Sequence, residues 1–209
     1  MPARRTTRGG PGAPATAALR ARRLPLTWFA RDTEVVARGL LGCALVHRGR
    51  AAVIVETEAY LGPRDRASHA RFGPTPRNRV MFGASGTSYV YLCYGVHELF
   101  NIVARDERTA EAGAVLVRAA APLAGLADDP EVARGPGKLT RALALSRAQH
   151  GVRLDADELF VAAWHEVRAG AVVRSPRVGV DYAGAWARRR LRFSIAGHPA
   201  VSRPPRRGR

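Results

Sequence analysis

Lysine is almost missing from this 209-residue chain: of 34 lysine and arginine residues, only Lys138 is a lysine. Schiff-base chemistry on a sugar or carbonyl would therefore rest on Lys138 or the terminal amine. Cysteine is equally scarce. Cys43 and Cys93 stand far apart with no CxxC or cysteine–histidine spacing, which argues for reduced cytosolic thiols and against a disulfide framework or a metal site. No apolar run approaches the roughly 18 residues of a membrane span, and the first residues lack the apolar stretch of a signal peptide. The expected location is the cytoplasm, with no membrane partner. No internal repeat stands out.

Acidic residues are few, 17 against 34 basic ones, so the formal net charge is +17 and the isoelectric point about 11.5. Such a balance favours a polyanionic partner such as nucleic acid. Part of the charge lies in the ends: Arg4, Arg5, Arg8, Arg20, Arg22 and Arg23, with Arg203, Arg206, Arg207 and Arg209. Taking those ten from +17 leaves +7, so the central part is basic too. The plentiful Ala, Gly and Pro beside a single Lys point to a GC-rich coding sequence, which lowers the weight of any one arginine. Hydrophobic residues make up 46% of the chain, enough for the core of one domain.

Residues 1–24 carry few large apolar side chains and are expected to form a disordered basic tail, followed by one domain over 25–202 and a basic C-terminal tail over 203–209. Asp32 and Thr33 are good helix caps, and Val35, Val36, Leu40 and Leu41 recur at helical spacing before Gly42. Cys43 to Val46 and Ala51 to Tyr60 read as a hairpin, as do Thr87 to Cys93 and Leu99 to Ala104. Ala114 to Ala120 is a further strand, Lys138 to Leu145 a helix, and Leu159 to Trp164, Arg177 to Val180 and Leu191 to Ile195 read as strands. Seven or eight strands with two or three helices imply an α+β domain around a curved, mostly antiparallel sheet, with a protruding hairpin.

The chemistry concentrates in Val55 to His69, VETEAYLGPRDRASH. Glu56, Glu58 and Tyr60 alternate on a strand and share one face. A strand glutamate is usually solvated, but Val53, Ile54 and Val55 precede this pair. A partly desolvated Glu58 is suited to deprotonating a water, whereas Glu56 reads better as the structural partner of an arginine. Tyr89, Tyr91 and Tyr94 fall within six residues. Tyr91 with Tyr60 can wall a flat slot for a planar, cationic heterocycle, and Tyr94, beside a turn glycine, is placed to wedge between stacked bases. Asn101 in an apolar strand must be satisfied locally or read a ligand edge. Arg118 closes AVLVR and needs a carboxylate or phosphate partner. His69 alone reads as a loop-bracing residue.

These stretches, with TPRNRVMFG, GTSYVYLCYGVHELFNI, AVLVRA, GPGKL, RVGVDYAG and LRFSIAGHPAVS, run collinearly from about Leu26 to Ser202. Together they resemble the alkyladenine (3-methyladenine) DNA glycosylase family of monofunctional base-excision enzymes. The resemblance implies that Glu58 activates water, that Arg118 and the Val178 carbonyl help hold it, and that Tyr60, His69 and Tyr91 sandwich a flipped base. It implies that Asn101 disfavours guanine and that Tyr94 enters the minor groove of damaged double-stranded DNA. No metal or cofactor is implied, and a nucleoid-associated monomer is expected. Arg77 and Lys138 are candidate contacts to the DNA backbone. Val96, His97, Glu98 and Leu99 depart from the family pattern; Glu98 is expected to be neutralised by Arg66, Arg71 or Arg77. The alternative is a non-catalytic ribosomal or tRNA-binding protein. A lyase using Pro2 or Lys138 is not favoured.

Overall fold

A computed structural model describes residues 13–106 and 108–203. Eight strands, β1 (Ala44–His47), β2 (Arg50–Tyr60), β3 (Ser88–Cys93), β4 (His97–Val103), β5 (Ala114–Ala124), β6 (Leu159–Ala162), β7 (Val172–Ser175) and β8 (Arg192–Ile195), form one sheet. Its order is β3-β4-β5-β2-β1-β6, with β8 beside β2 and β7 beside β8. Every pairing among these strands is antiparallel. Three α-helices, α1 (Ala13–Arg20), α2 (Thr33–Gly39) and α3 (Pro136–Ala142), complete the α+β architecture expected from the sequence.

The long central strand β2 is buried from Ala51 to Ala59 because it is covered on both faces. On one face, Ala52 and Ile54 pack with Val36 and Ala37 of α2 and with Leu40 just beyond it, together with Val117 and Phe193. Thr57 points to that side and donates to the Ala37 carbonyl at 2.8 Å. The cap expected at Asp32 forms: its side chain accepts from the backbone N–H groups of Glu34 and Val35, a cap worth about 1 kcal/mol. Gly42 stands at φ +83, and a Cβ there would meet the His165 carbonyl oxygen at 2.4 Å.

The opposite face carries a row of cross-strand neighbours through six strands: Tyr89, Asn101, Leu116, Glu58, Arg192 and Ser175. Directly paired residues share a face, so this row fixes which side chains meet. An irregularity in the β2–β5 register pairs Glu56 with Ala119 and Thr57 with Val117, leaving Arg118 as the extra residue of a bulge. Bulges re-aim side chains, and here Arg118 is directed at the β2 carboxylates.

Two expectations need correction. The reading of residues 1–24 as a tail fails for its described part, because Ala13–Arg20 is helical and Leu19 is 1% exposed, packed with Val46 and Phe160. Residues 1–12 and 204–209 lie outside the described residues. The strand expected at Arg177 to Val180 is absent, and the edge strand is β7. Pro176 has no N–H to continue the ladder, and beyond it the Arg177 side chain and the Val178 N–H bond to Asp65 and Glu58. Among the described residues no helix is long and apolar enough to cross a membrane.

Candidate active site

Glu58 is wholly buried, and three groups hold it. The Val178 N–H donates to Oε1 at 2.8 Å, the Tyr60 hydroxyl donates to Oε2 at 2.9 Å, and Arg118 Nη1 lies 3.4 Å from Oε1. A carboxylate offers about four acceptor sites, so the three partners leave one. Tyr60, Arg118 and Val178 all line a cavity of about 990 Å³, placing the carboxylate immediately behind its wall. Burial works against the charge of Arg118, but Glu58 and Glu56 outweigh it and hold the guanidinium above its ordinary pKa. Burial and the nearby Glu58 push the Tyr60 phenol well above the usual range, so it remains a donor.

Glu56 points to the same face but has a different role. Its Oε1 takes Arg118 Nε at 3.1 Å and Arg192 Nη1 at 2.9 Å, and its Oε2 accepts from the Ser202 N–H at 2.7 Å. It ties the end of the described chain to the centre of the sheet, the structural arginine partner expected from the sequence.

The aromatic residues gather on the other flank. The Tyr91 ring centre lies 5.3 Å from that of Tyr89 and 4.8 Å from that of His69, the latter pair edge-on at 68°, and His69 Nδ1 lies 2.7 Å from the Tyr89 hydroxyl. Burial, with Arg77 and Arg71 nearby, lowers the His69 pKa to about 4, whereas burial pushes Tyr89 up to about 12. Near neutrality the imidazole is therefore uncharged and the phenol protonated. Strands β4 and β5 lie between Tyr60 on β2 and Tyr91 on β3. The two tyrosines thus flank a trough floored by Leu99, Asn101 and Leu116, all of which line the cavity. Asn101 is 3% exposed and donates through Nδ2 to the carbonyls of Tyr89 and Leu99, so its amide cannot swing away.

Tyr94 stands at the tip of the β3–β4 hairpin, 92% exposed. The tip is tighter than expected, since β4 begins at His97 and only Tyr94 to Val96 form the turn. Val96 N–H closes it onto the Cys93 carbonyl, with φ +50 at Tyr94 and +71 at Gly95. A bulky residue in the left-handed region costs about 1–3 kcal/mol, and burial of the ring offsets none of it.

Glu98 is paired with Arg147, Nε to Oε1 at 3.1 Å, and not with the arginines expected. Arg71 instead stacks on Phe72 and Tyr182 and donates to the Arg66 carbonyl, and Arg77 covers Tyr91. Arg77 also donates to the Leu92 carbonyl, which places it in the cavity wall. Lys138 lines the same cavity, but its ammonium is 2.9 Å from Glu131. Sequence reading missed Asp65 and Arg177, a fully buried bidentate pair at 2.6 and 2.8 Å. The Arg177 guanidinium lies 4.7 Å from the Tyr60 ring centre, next in chain to Val178. Their separation of 112 residues leaves no local signal of the pairing. Among the described residues no cluster of His, Cys, Asp or Glu suits a metal ion, and Cys43 and Cys93 are free thiols.

Fold and site together define a single-sheet α+β protein with a buried carboxylate behind an aromatic trough and an exposed tyrosine on a hairpin tip. Residues 27–199 match the Methylpurine-DNA glycosylase family. The chain belongs to that family, and hence to the DNA glycosylases of base excision repair. A relative from Anaeromyxobacter dehalogenans strain 2CP-1, named "Putative 3-methyladenine DNA glycosylase", is 53% identical over 88% of this chain and 87% of its own. Relatives of the same name from Myxococcus xanthus and Methanocella arvoryzae are 45% and 44% identical, over 89% and 86% of this chain and 96% of each of theirs.

Proposed function

We propose that this protein is a monofunctional glycosylase that flips alkylated or deaminated purines, such as 3-methyladenine, 7-methylguanine, hypoxanthine or ethenoadenine, out of duplex DNA. It hydrolyses the N-glycosidic bond with a water activated by Glu58 and leaves an abasic site. The observation that carries this reading is the Glu58 carboxylate, held by Tyr60, Arg118 and Val178 directly behind the aromatic trough. Bond cleavage passes through an oxocarbenium-like sugar, so a fixed negative charge beside it stabilises the transition state. The free acceptor site on Glu58 takes a proton from the attacking water as the new C–O bond forms and the purine departs. Arg118 and the Val178 carbonyl orient that water.

The trough suits the leaving group. Alkylated purines are cationic, and the Tyr60 and Tyr91 ring faces attract a planar cation. A neutral His69 adds no repulsive charge. Asn101, fixed by its two backbone carbonyls, excludes guanine by crowding its exocyclic amine. Flipping leaves a gap in the stack, and the strained, exposed Tyr94 is positioned to fill it from the minor groove. The enzyme acts as a monomer, with Arg77 and Lys138 near the DNA backbone.

Single-turnover incubation with duplexes carrying each of these bases tests the reading. Release of free base with the strand left intact, and no borohydride-trapped adduct, is expected; the ammonium of the sole lysine is committed to Glu131. Release of none of the four bases, or a trapped covalent adduct, would overturn it.

A further inference from the structure

A second cavity, also of about 990 Å³, opens beside β7 and β8 and takes no part in the chemistry above. Arg134, Arg174, Arg188, Arg190 and Arg192 line it, with His198, and no carboxylate does. Three of the arginines are neutralised: Arg134 by Glu131, Arg174 by Glu34 at 2.6 Å and Arg192 by Glu56 at 2.9 Å. The remaining two differ. Among the described residues Arg190 donates only to the Arg174 carbonyl, and Arg188 has no hydrogen-bond or ion-pair partner; both are exposed. Two uncompensated guanidinium groups at the mouth of one groove create a local positive potential that an anion relieves.

The groove shares a surface with the trough. In the cross-strand row, Tyr89, Asn101 and Leu116 line the trough, Glu58 is central, and Arg192 and Ser175 line the arginine groove. From Glu58 to Ser175 is two strand spacings, about 10 Å, comparable with about three base steps of duplex at 3.4 Å each. The segment Val201 to Arg203 borders both cavities, Arg203 lining the trough and Val201 the groove, and is pinned by Ser202 N–H to Glu56, by Arg134 Nε to the Val201 carbonyl and by Arg192 Nη1 to the Arg203 carbonyl. An extended polyanion engaged at the trough therefore passes the groove.

We propose that this groove is a phosphate subsite, in which Arg188 and Arg190 bind the sugar–phosphate backbone of the duplex a few nucleotides from the extruded base. The proposal rests on the glycosylase reading for the location of the lesion. An arginine that meets a phosphate through its planar fork fixes the register of the strand without reading its sequence. The subsite thus lengthens the footprint on one side of the lesion only.

The test measures the affinity of the full-length chain carrying Glu58→Gln, so that the base stays attached, for a hypoxanthine duplex at least two helical turns long across a salt series. Arg188→Gln and Arg190→Gln are each compared with Arg38→Gln, an equal loss of charge on α2, which covers the opposite face of the sheet. Each groove substitution is expected to lower the slope of log K against log salt by about 0.9, and the control to leave it unchanged. Single methylphosphonate replacements along the strand identify the phosphate: at one or two positions on one side, the affinity loss seen with the intact groove should vanish in the groove variants. Unchanged slopes, or slopes that fall equally with Arg38→Gln, overturn the proposal, and capture of a polyglutamate peptide without a change in DNA slope would assign the groove to an acidic protein instead. Base release by the chain with Glu58 intact is assayed in parallel. Its absence counts against the glycosylase reading, whereas the slopes report on the groove.

Discussion

Glu58 and Tyr60, two positions apart on β2, are hydrogen-bonded to each other, the phenol donating to Oε2 over 2.9 Å. The wall of the trough is thereby also a support of the carboxylate. Tyr60→Phe keeps the ring and removes the donor, leaving a buried charge one hydrogen bond short. A loss of about 1–3 kcal/mol in urea unfolding is expected, with base release slowed but still measurable. A variant as stable as the parent would show that the hydroxyl does not support Glu58.

Glu56 balances Arg118 and Arg192 below the surface. Glu56→Gln leaves Arg192 buried without a counter-charge, and breaking a buried pair in this way costs about 3–5 kcal/mol. The urea midpoint should fall accordingly. A change below about 1 kcal/mol would place the stabilisation elsewhere.

The lowered His69 pKa couples folding to pH. The unfolded imidazole titrates near 6.5 and the folded one near 4, so between those values the unfolded chain binds more protons. The contribution of His69 is fully present above pH 6.5 and is lost as pH falls through 4. Its size is on the order of 2 kcal/mol, discounted for the partial exposure of the ring. His69→Gln should flatten the decline in stability across this window; an unaltered pH profile would contradict the assignment.

Tyr94→Ala removes an exposed ring and keeps the Cβ that makes the left-handed backbone costly, so stability should change by no more than about 0.5 kcal/mol. Base release from a fully paired duplex should nevertheless fall by about tenfold or more, since unstacking costs a few kcal/mol that the ring helps to offset. Release from single-stranded DNA should change less. Equal losses on both substrates would exclude a wedge role.

Local signals made much of this architecture legible. The alternation of Glu56, Glu58 and Tyr60 defined a strand face, Asp32 capped a helix, and Tyr94 beside Gly95 marked a turn. What escaped was non-local. Arg147 reaches Glu98 across 49 residues and Arg177 reaches Asp65 across 112, and neither distance leaves a periodic trace. The Arg177 to Val180 segment looks β-rich, yet its bonding groups serve Asp65 and Glu58. The composition of the first 24 residues concealed α1, because one buried leucine, Leu19, is enough to dock a short helix on Phe160 and Val46.

The most direct measurement is single-turnover base release by Glu58→Gln, paired with binding to the same hypoxanthine duplex. Glutamine keeps the shape of the side chain but cannot take a proton from water. Release should fall by at least about 10²- to 10⁴-fold while affinity for the lesion duplex is retained. Release at an undiminished rate would contradict the assignment of Glu58 as the catalytic base.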